Sequence, residues 1–197
     1  MKQTPSTKGV LSKKLYIYDG IAASCLMILI GVGAVAVGLD GRSTVRDELA
    51  RENIVGTPDM KKVANEKIDT GAEARDFAAG MRVHALAATG GQTYAEMPRF
   101  LDDNGKPTQD EKAAAIDPTS GEPVSNPARE LWVTETALTN ALNTSYFAEN
   151  VANFAVVMGL ALLLAGIGFL VLTLRLPWRR EQEEAAKAPG GQPVLAS

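Results

Sequence analysis

Two stretches without a single charged side chain constrain this chain of 197 residues more than anything else in it: Gly20 to Leu39, and Asn150 to Leu174. A helix rises ~1.5 Å per residue and the hydrocarbon layer of a bilayer is ~30 Å thick, so each stretch has the ~20 residues needed to cross it. A core helix of a soluble protein can also be apolar all round, but too little chain remains to wrap two such helices. The sequence therefore predicts an all-α membrane protein. Its expected plan is a two-helix transmembrane hairpin with spans at 16–39 and 148–174, joined by a mainly helical extracytoplasmic segment at 40–147. The water-facing remainder suffices for one small domain at most.

Charge sets the expected orientation. Residues 1–15 carry Lys2, Lys8, Lys13 and Lys14 and no acid, and the second block is followed by Arg175, Arg179 and Arg180. Between them, from Asp40 to Ser145, stand 12 Lys or Arg against 18 Asp or Glu, a net of −6. Basic clusters stay on the cytoplasmic side, so both ends, 1–15 and 175–197, are expected in the cytoplasm of a cell-membrane protein. Tyr16, Tyr18 and Trp178 fall at the inner boundaries, and Tyr146 and Phe147 at the outer one, where amphipathic rings settle. A cleaved signal peptide is the rival reading, with Lys13-Lys14 as its basic region and Ala34-Val35-Ala36 as its cleavage site. The apolar run exceeds a signal core of ~7 to 15 residues and has Asp19 at its mouth, so a retained span is favoured.

Helices in lipid associate through small residues and occasional polar contacts. Gly20/Ser24 and Ala34/Gly38 in the first span, with Ala148/Ala152, Ala155/Gly159 and Ala161/Ala165 in the second, are the expected meeting faces. Asp19 and Arg175 both fall at the cytoplasmic end of their helices, and pairing would relieve the cost of charge near hydrocarbon; separate snorkelling to water is the alternative. At the outer end Glu149 and Asn153 share a helix face, a further candidate contact for another chain or for the outer segment.

In the outer segment, Ser43 to Ile54 reads as a helix prolonging the first span and ended by Gly56-Thr57-Pro58. Thr70-Gly-Ala-Glu73 fits a capping box for a helix over about 71 to 88, stopped by Gly90-Gly91. Residues 98–127 contain five prolines and an Asn104-Gly105 turn, the pattern of a loop, with room for a short helix at 109 to 115. Asn126-Pro127 supplies a cap and a first-turn proline for a helix through Leu131, Trp132 and Leu138 towards the second span, which Asn143-Thr144-Ser145 interrupts just above the membrane. Large apolar residues are sparse, so this segment is expected to bury little by itself and to need a partner or a second copy. The tail from Glu181, with Pro189-Gly190-Gly191, reads as disordered.

Catalytic and metal chemistry are poorly provided for. Cys25, the single cysteine, lies inside the first apolar block, which excludes an intramolecular disulfide and a cysteine cage. His84 is the single histidine, on the apolar stripe beside Phe77 and Met81, and is expected to be packed and hydrogen-bonded; a protonation switch or metal contact is the alternative. Asp102, Asn104, Gly105 and Glu111 stand at calcium-loop offsets from Phe100, but Phe100 occupies the first ligand position and Pro107 interrupts, so a solvated acidic turn is favoured. No nucleophile elbow, phosphate loop or dinucleotide fingerprint occurs, and Lys61-Lys62 is too small a patch for nucleic acid. Asn143-Thr144-Ser145 matches a glycosylation sequon but lies against the membrane. No cofactor is expected.

Three groups of residues resemble a family of actinobacterial membrane proteins with two transmembrane helices and no assigned function. They are Tyr18-Asp19-Gly20-Ile21-Ala22-Ala23, Arg46-Asp47-Glu48-Leu49-Ala50-Arg51-Glu52-Asn53-Ile54, and His84-Ala85 with Thr89-Gly90-Gly91-Gln92-Thr93-Tyr94-Ala95-Glu96. The polar run from Leu138 to Phe147 and the second span extend the likeness to nearly the whole chain. Members are often labelled aromatic ring-opening dioxygenases, but such iron chemistry needs more imidazole ligands than one histidine supplies. The proline-bearing loop is longer here than in shorter members.

The expected function is that of a non-enzymatic accessory, scaffold or assembly subunit of a cell-membrane complex. Its partners would be the lipid bilayer and other membrane subunits or a second copy, docked through the outer helices and the Thr89–Glu96 turn. Tyr94 and Trp132 join His84, Glu149 and Asn153 as the outer residues to watch. The alternative is an extracytoplasmic protein that binds or senses a small ligand or metal, and an enzyme is the least favoured class.

Overall fold

The computed structural model describes the backbone of residues 7–187 and the side chains of 16–175. Three helices carry the fold: α1 Thr7–Arg51, α2 Gly71–Ala88 and α3 Pro127–Lys187. A two-stranded antiparallel hairpin, β1 Phe100–Leu101 with β2 Pro107–Thr108, and a 3-10 turn at Glu111–Ala113 lie between α2 and α3. The chain forms two compact units, one from the stretches up to Asp40 and from Ala152 onward, the other Gly41–Val151. The sequence readings for Lys2, Lys8, Lys13, Lys14, Trp178, Arg179 and Arg180 concern side chains outside the described residues.

In the first unit α1 and α3 are long and apolar enough to cross a membrane. They meet along a seam of residues seven apart: Ser24, Gly31 and Gly38 on α1, and Ala152, Gly159, Gly166 and Thr173 on α3. A Cβ added at Gly31 would stand 2.8 Å from the Gly159 carbonyl oxygen, and one at Gly38 would stand 2.7 Å from that of Ala152. The backbones therefore approach to a distance only glycine allows, with Val35, Val156 and Leu163 filling the intervals. Gly20, Ser24, Gly38, Ala152 and Gly159 lie on this seam, but Ala161 and Ala165 are exposed and Gly166 takes the place expected of them. The reason is geometric: a four-residue step turns ~400°, so repeated fours drift off the contact line, whereas alternating threes and fours stay on it.

The pairing of Asp19 with Arg175 does not form among the described residues; both side chains are exposed. Gly20 faces Thr173 across the seam. At ~100° per residue, Asp19 is then turned about 100° off the contact line and Arg175 about 200° off it. The opposite faces of both helices expose large apolar side chains, with Leu29 at 69%, Val37 at 71% and Leu164 at 74%. Helix persists to Lys187 where disorder was expected from Glu181. Residues 181–187 are Glu, Gln, Ala and Lys, all strong helix formers, and Pro189 comes only beyond them.

The second unit is better packed than its composition suggests. α1 stops at Arg51, three residues before Ile54, and Asn53 turns the chain with φ +51°. Residues 52–69, which have neither helical nor strand periodicity, then fold into a compact loop closed by an antiparallel bridge between Val55 and Lys67. Gly56 is pressed so close to the Val63 carbonyl that no side chain fits. This loop buries Met60, Val63 and Ile68 against Leu49, Ala74, Ala78 and Leu142, with Val45, Phe77 and Met81 at the margin.

α2 has the ends its sequence announces. Thr70 Oγ1 accepts from Glu73 N while the Glu73 carboxylate accepts from Thr70 N, which satisfies two orphan donors. At the other end Gly90, with φ +64°, sends its N–H to Ala87 O, and Gly91 N reaches Leu86 O at 2.7 Å, the paired bonds of a Schellman ending. The proline-bearing stretch is ordered rather than a plain loop: Phe100 bridges Ser125 and Ile116 bridges Pro123 beside the β1–β2 hairpin. α3 runs unbroken through Asn143-Thr144-Ser145, where the expected interruption does not occur; the Thr144 and Ser145 hydroxyls donate to the carbonyls of Asn140 and Ala141 one turn back instead of capping a break.

Candidate functional site

The second unit carries a cleft of about 400 Å³ where the first turns of α3 face β1 and the turn after α2. Its walls are Tyr94, Arg99, Phe100, Asn126, Arg129 and Glu130, continued by Ser125, Val133 and Thr134. Asn126 positions the wall: its buried amide donates to Pro98 O at 2.9 Å, and its Oδ1 accepts from Ala128 N at 3.1 Å, capping α3. Tyr94 is presented by the Thr89–Glu96 turn. There Thr89 Oγ1 donates to Gln92 O at 2.6 Å, and the Glu96 carboxylate accepts from both the N–H and the hydroxyl of Thr93. Those two Thr93 bonds, the backbone one first, hold the Glu96 carboxyl below its usual range.

Both arginines of the cleft lie against aromatic rings. The Arg129 guanidinium is 3.9 Å from the Tyr94 ring centroid and donates to Met97 O at 2.8 Å. Arg99 stands 5.3 Å from the Phe100 centroid. Neither makes an ion pair with a carboxylate among the described residues, unlike Arg42, Arg46, Arg51 and Arg82. A guanidinium stacked on a ring keeps its edge donors free for a carboxylate or phosphate.

Behind the cleft Trp132 is buried with Ala85 and Met97. Arg82 lies 4.6 Å from its ring centroid and reaches Glu135 Oε2 at 3.3 Å, while Thr139 donates to Glu135 Oε1 at 2.7 Å. Glu135 is thus a buried carboxylate with a cation and a hydroxyl for partners.

Glu149 forms the other charged knot of the unit. It accepts from Arg46 Nε at 2.8 Å and from Gly71 N at 2.6 Å, with Arg42 Nε at 3.6 Å. Its carboxylate therefore sits on the N-terminus of α2, where unpaired N–H groups favour negative charge. Asn153, one turn further along α3 on the same face, is exposed.

His84 lies off the buried stripe of α2, which runs through Gly71, Ala74, Ala78 and Ala85. It is not packed as expected; it is exposed and hydrogen-bonds through Nε2 to Asp59 Oδ2 at 2.5 Å. The stripe follows Ala78 by seven residues to Ala85, which turns His84 outwards. Hydrogen bonds from Thr57 and then His84 keep the Asp59 carboxyl below its usual range. Asp117 is likewise lowered, by the backbone N–H groups of Thr119 and Ser120. Asp102, at the third offset of the calcium-like pattern, spends Oδ1 on the N–H groups of Asn104 and Lys106. Among the described residues no three His, Cys, Asp or Glu side chains converge as metal ligands.

Of the residues singled out by sequence, the structure places Tyr94 on the cleft, Trp132 behind it and Glu149 in the second knot. His84 stands apart from all three, and Asp19, Arg175 and Asn153 lie outside this unit. Sequence reading passed over Arg99, Arg129, Arg82, Glu135 and Arg42, and gave Phe100 and Arg46 no part in a site. Arg129 meets Tyr94 across 35 positions and Arg46 meets Glu149 across 103, so no local spacing marks either contact. Comparisons with family models, curated proteins and solved structures find no match to this chain.

Proposed function

We propose that the chain is a two-span membrane protein whose Gly41–Val151 unit docks another protein outside the cytoplasm, making it an accessory or scaffold subunit rather than an enzyme. The support for the spans is the pairing of a glycine-lined seam with outward faces that expose large apolar side chains, an arrangement unfavourable in water and ordinary in lipid. The charge partition favours cytoplasmic ends in the cell membrane, and the likeness to actinobacterial two-span proteins belongs to the same proposal.

The observation that carries the docking reading is on α3. Val133, on the wall of the arginine cleft, is about half exposed, and Leu131 and Leu138 are about half exposed together on another face of α3, in a unit otherwise rich in charge. Exposed apolar side chains on a helix that also carries a ring-stacked arginine without a carboxylate partner among the described residues have the makeup of a protein-binding surface. Mild-detergent purification from native membranes tests it: stoichiometric partner chains are expected, and a lone chain retaining a small molecule would favour the ligand-sensing alternative. Reporter fusions at either terminus are expected to be active only in the cytoplasm, and the chain is expected to resist alkaline carbonate extraction.

A further inference from the structure

The Tyr94–Arg129 cleft assigns a ligand class to that docking surface. We propose that it binds an acidic segment of a protein partner, with aspartate or glutamate carboxylates held by Arg99 and Arg129; this rests on the docking reading above.

Three observations converge. The Gly41–Val151 unit has 12 Lys or Arg against 18 Asp or Glu, a net of −6, yet this cleft is lined by two arginines and one acid, Glu130. The Arg129 guanidinium is held by the Tyr94 ring and the Met97 carbonyl, so it loses little side-chain freedom when a carboxylate arrives, and the exposed Arg99, 5.3 Å from the Phe100 centroid, adds a second cation at the same wall. Val133 and Thr134 extend the wall along α3, and Val133 is more than half exposed, giving an apolar neighbour to the charged end. A free organic acid would fill only the arginine end, whereas a peptide covers the apolar wall as well.

The test uses the full chain in lipid nanodiscs and a fluorescent peptide alternating glutamate with leucine, read by anisotropy. The glutamate peptide is expected to bind and its glutamine counterpart to bind about tenfold or more weakly, with the difference shrinking as salt rises. Arg99→Met, at a side chain that makes no hydrogen bond among the described residues, is expected to weaken binding about tenfold, and Glu130→Gln to tighten it by removing the competing acid. The second change is a gain of binding that a misfolded variant cannot mimic. Equal binding of the two peptides, or indifference to both variants, overturns the proposal. Displacement by free glutarate as effective as by unlabelled peptide overturns it in favour of a small acid. Partner chains retained equally by wild type and by an Arg99→Met/Arg129→Met variant in native membranes also overturn it while leaving the docking reading intact. A wild-type chain that retains no partner overturns the docking reading itself.

Discussion

The carboxylate of Glu149 accepts the backbone N–H of Gly71 at 2.6 Å, so the last acid before the second apolar block seats the first residue of α2. Arg46 completes the arrangement from α1, and all three helices share one buried charge. Glu149→Ala would leave the Gly71 N–H without its acceptor and two arginines without their acid. We expect a loss of about 2 kcal/mol, discounted because both arginines are partly exposed. Glu149→Gln keeps an acceptor for Gly71 and is expected to lose less. Thermal unfolding of the detergent-solubilised protein checks both, and equal stability of wild type and alanine variant would refute the seating role.

Tight approach along the seam makes a second prediction. A Cβ at Gly159 would come within 2.7 Å of the Gly31 carbonyl oxygen, whereas nothing lies within 4 Å of one at Gly33 or Gly168. Gly38→Ile and Gly159→Ile are expected to destabilise helix association by about 1–3 kcal/mol, and Gly33→Ile and Gly168→Ile to leave it unchanged. Disulfide crosslinking between cysteines placed on α1 and α3 would report the separation.

Arg82 lies between the Trp132 ring and the Glu135 carboxylate. Arg82→Met retains the bulk but strands a buried acid that, among the described residues, Thr139 and Thr136 are left to satisfy. A destabilisation of about 2 kcal/mol is expected, together with altered Trp132 fluorescence in a Trp178→Phe background. Arg82→Met combined with Glu135→Met is expected to recover much of the loss; failure to recover would show that the charge pair is not its source.

A depressed carboxyl gives stability that is complete above its unfolded value and lost as pH falls through its lower folded value. For Asp59 the ordinary value is 3.8, and the loss is therefore expected only at pH below about 3.8. Glu96 and Asp117, lowered by hydrogen bonds from Thr93 and from Thr119 and Ser120, contribute in the same direction. Asp59→Asn is expected to flatten this acid limb and to lose the same contribution near neutrality, where it is fully present in the wild type, as measured by melting temperature against pH. An unchanged acid limb would count against the Thr57–Asp59–His84 contact in solution.

The helix ends were legible in the sequence because their causes are local. Thr70 and Glu73 are three residues apart and close the capping box, Gly90-Gly91 provides the left-handed turn, and Asn126-Pro127 opens α3. The loop at 52–69 was not legible. Its buried Met60, Val63 and Ile68 follow no helix or strand period, and only their meeting with α2 and with Leu142 makes them core. The cleft was half legible: Tyr94 was marked by its turn, but Arg99 and Arg129 look like any exposed arginine until their rings are found.

What the sequence alone determined is which segments are apolar, where helices begin and end, and that two of them are long enough to span lipid, since these depend on neighbours a few residues apart. Tertiary structure decided which glycines touch, that Asp19 and Arg175 point away from the seam, and which acid each arginine serves. Such contacts join residues tens to a hundred positions apart, and their partners are fixed by rotation about a helix axis at ~100° per residue, which only packing can set.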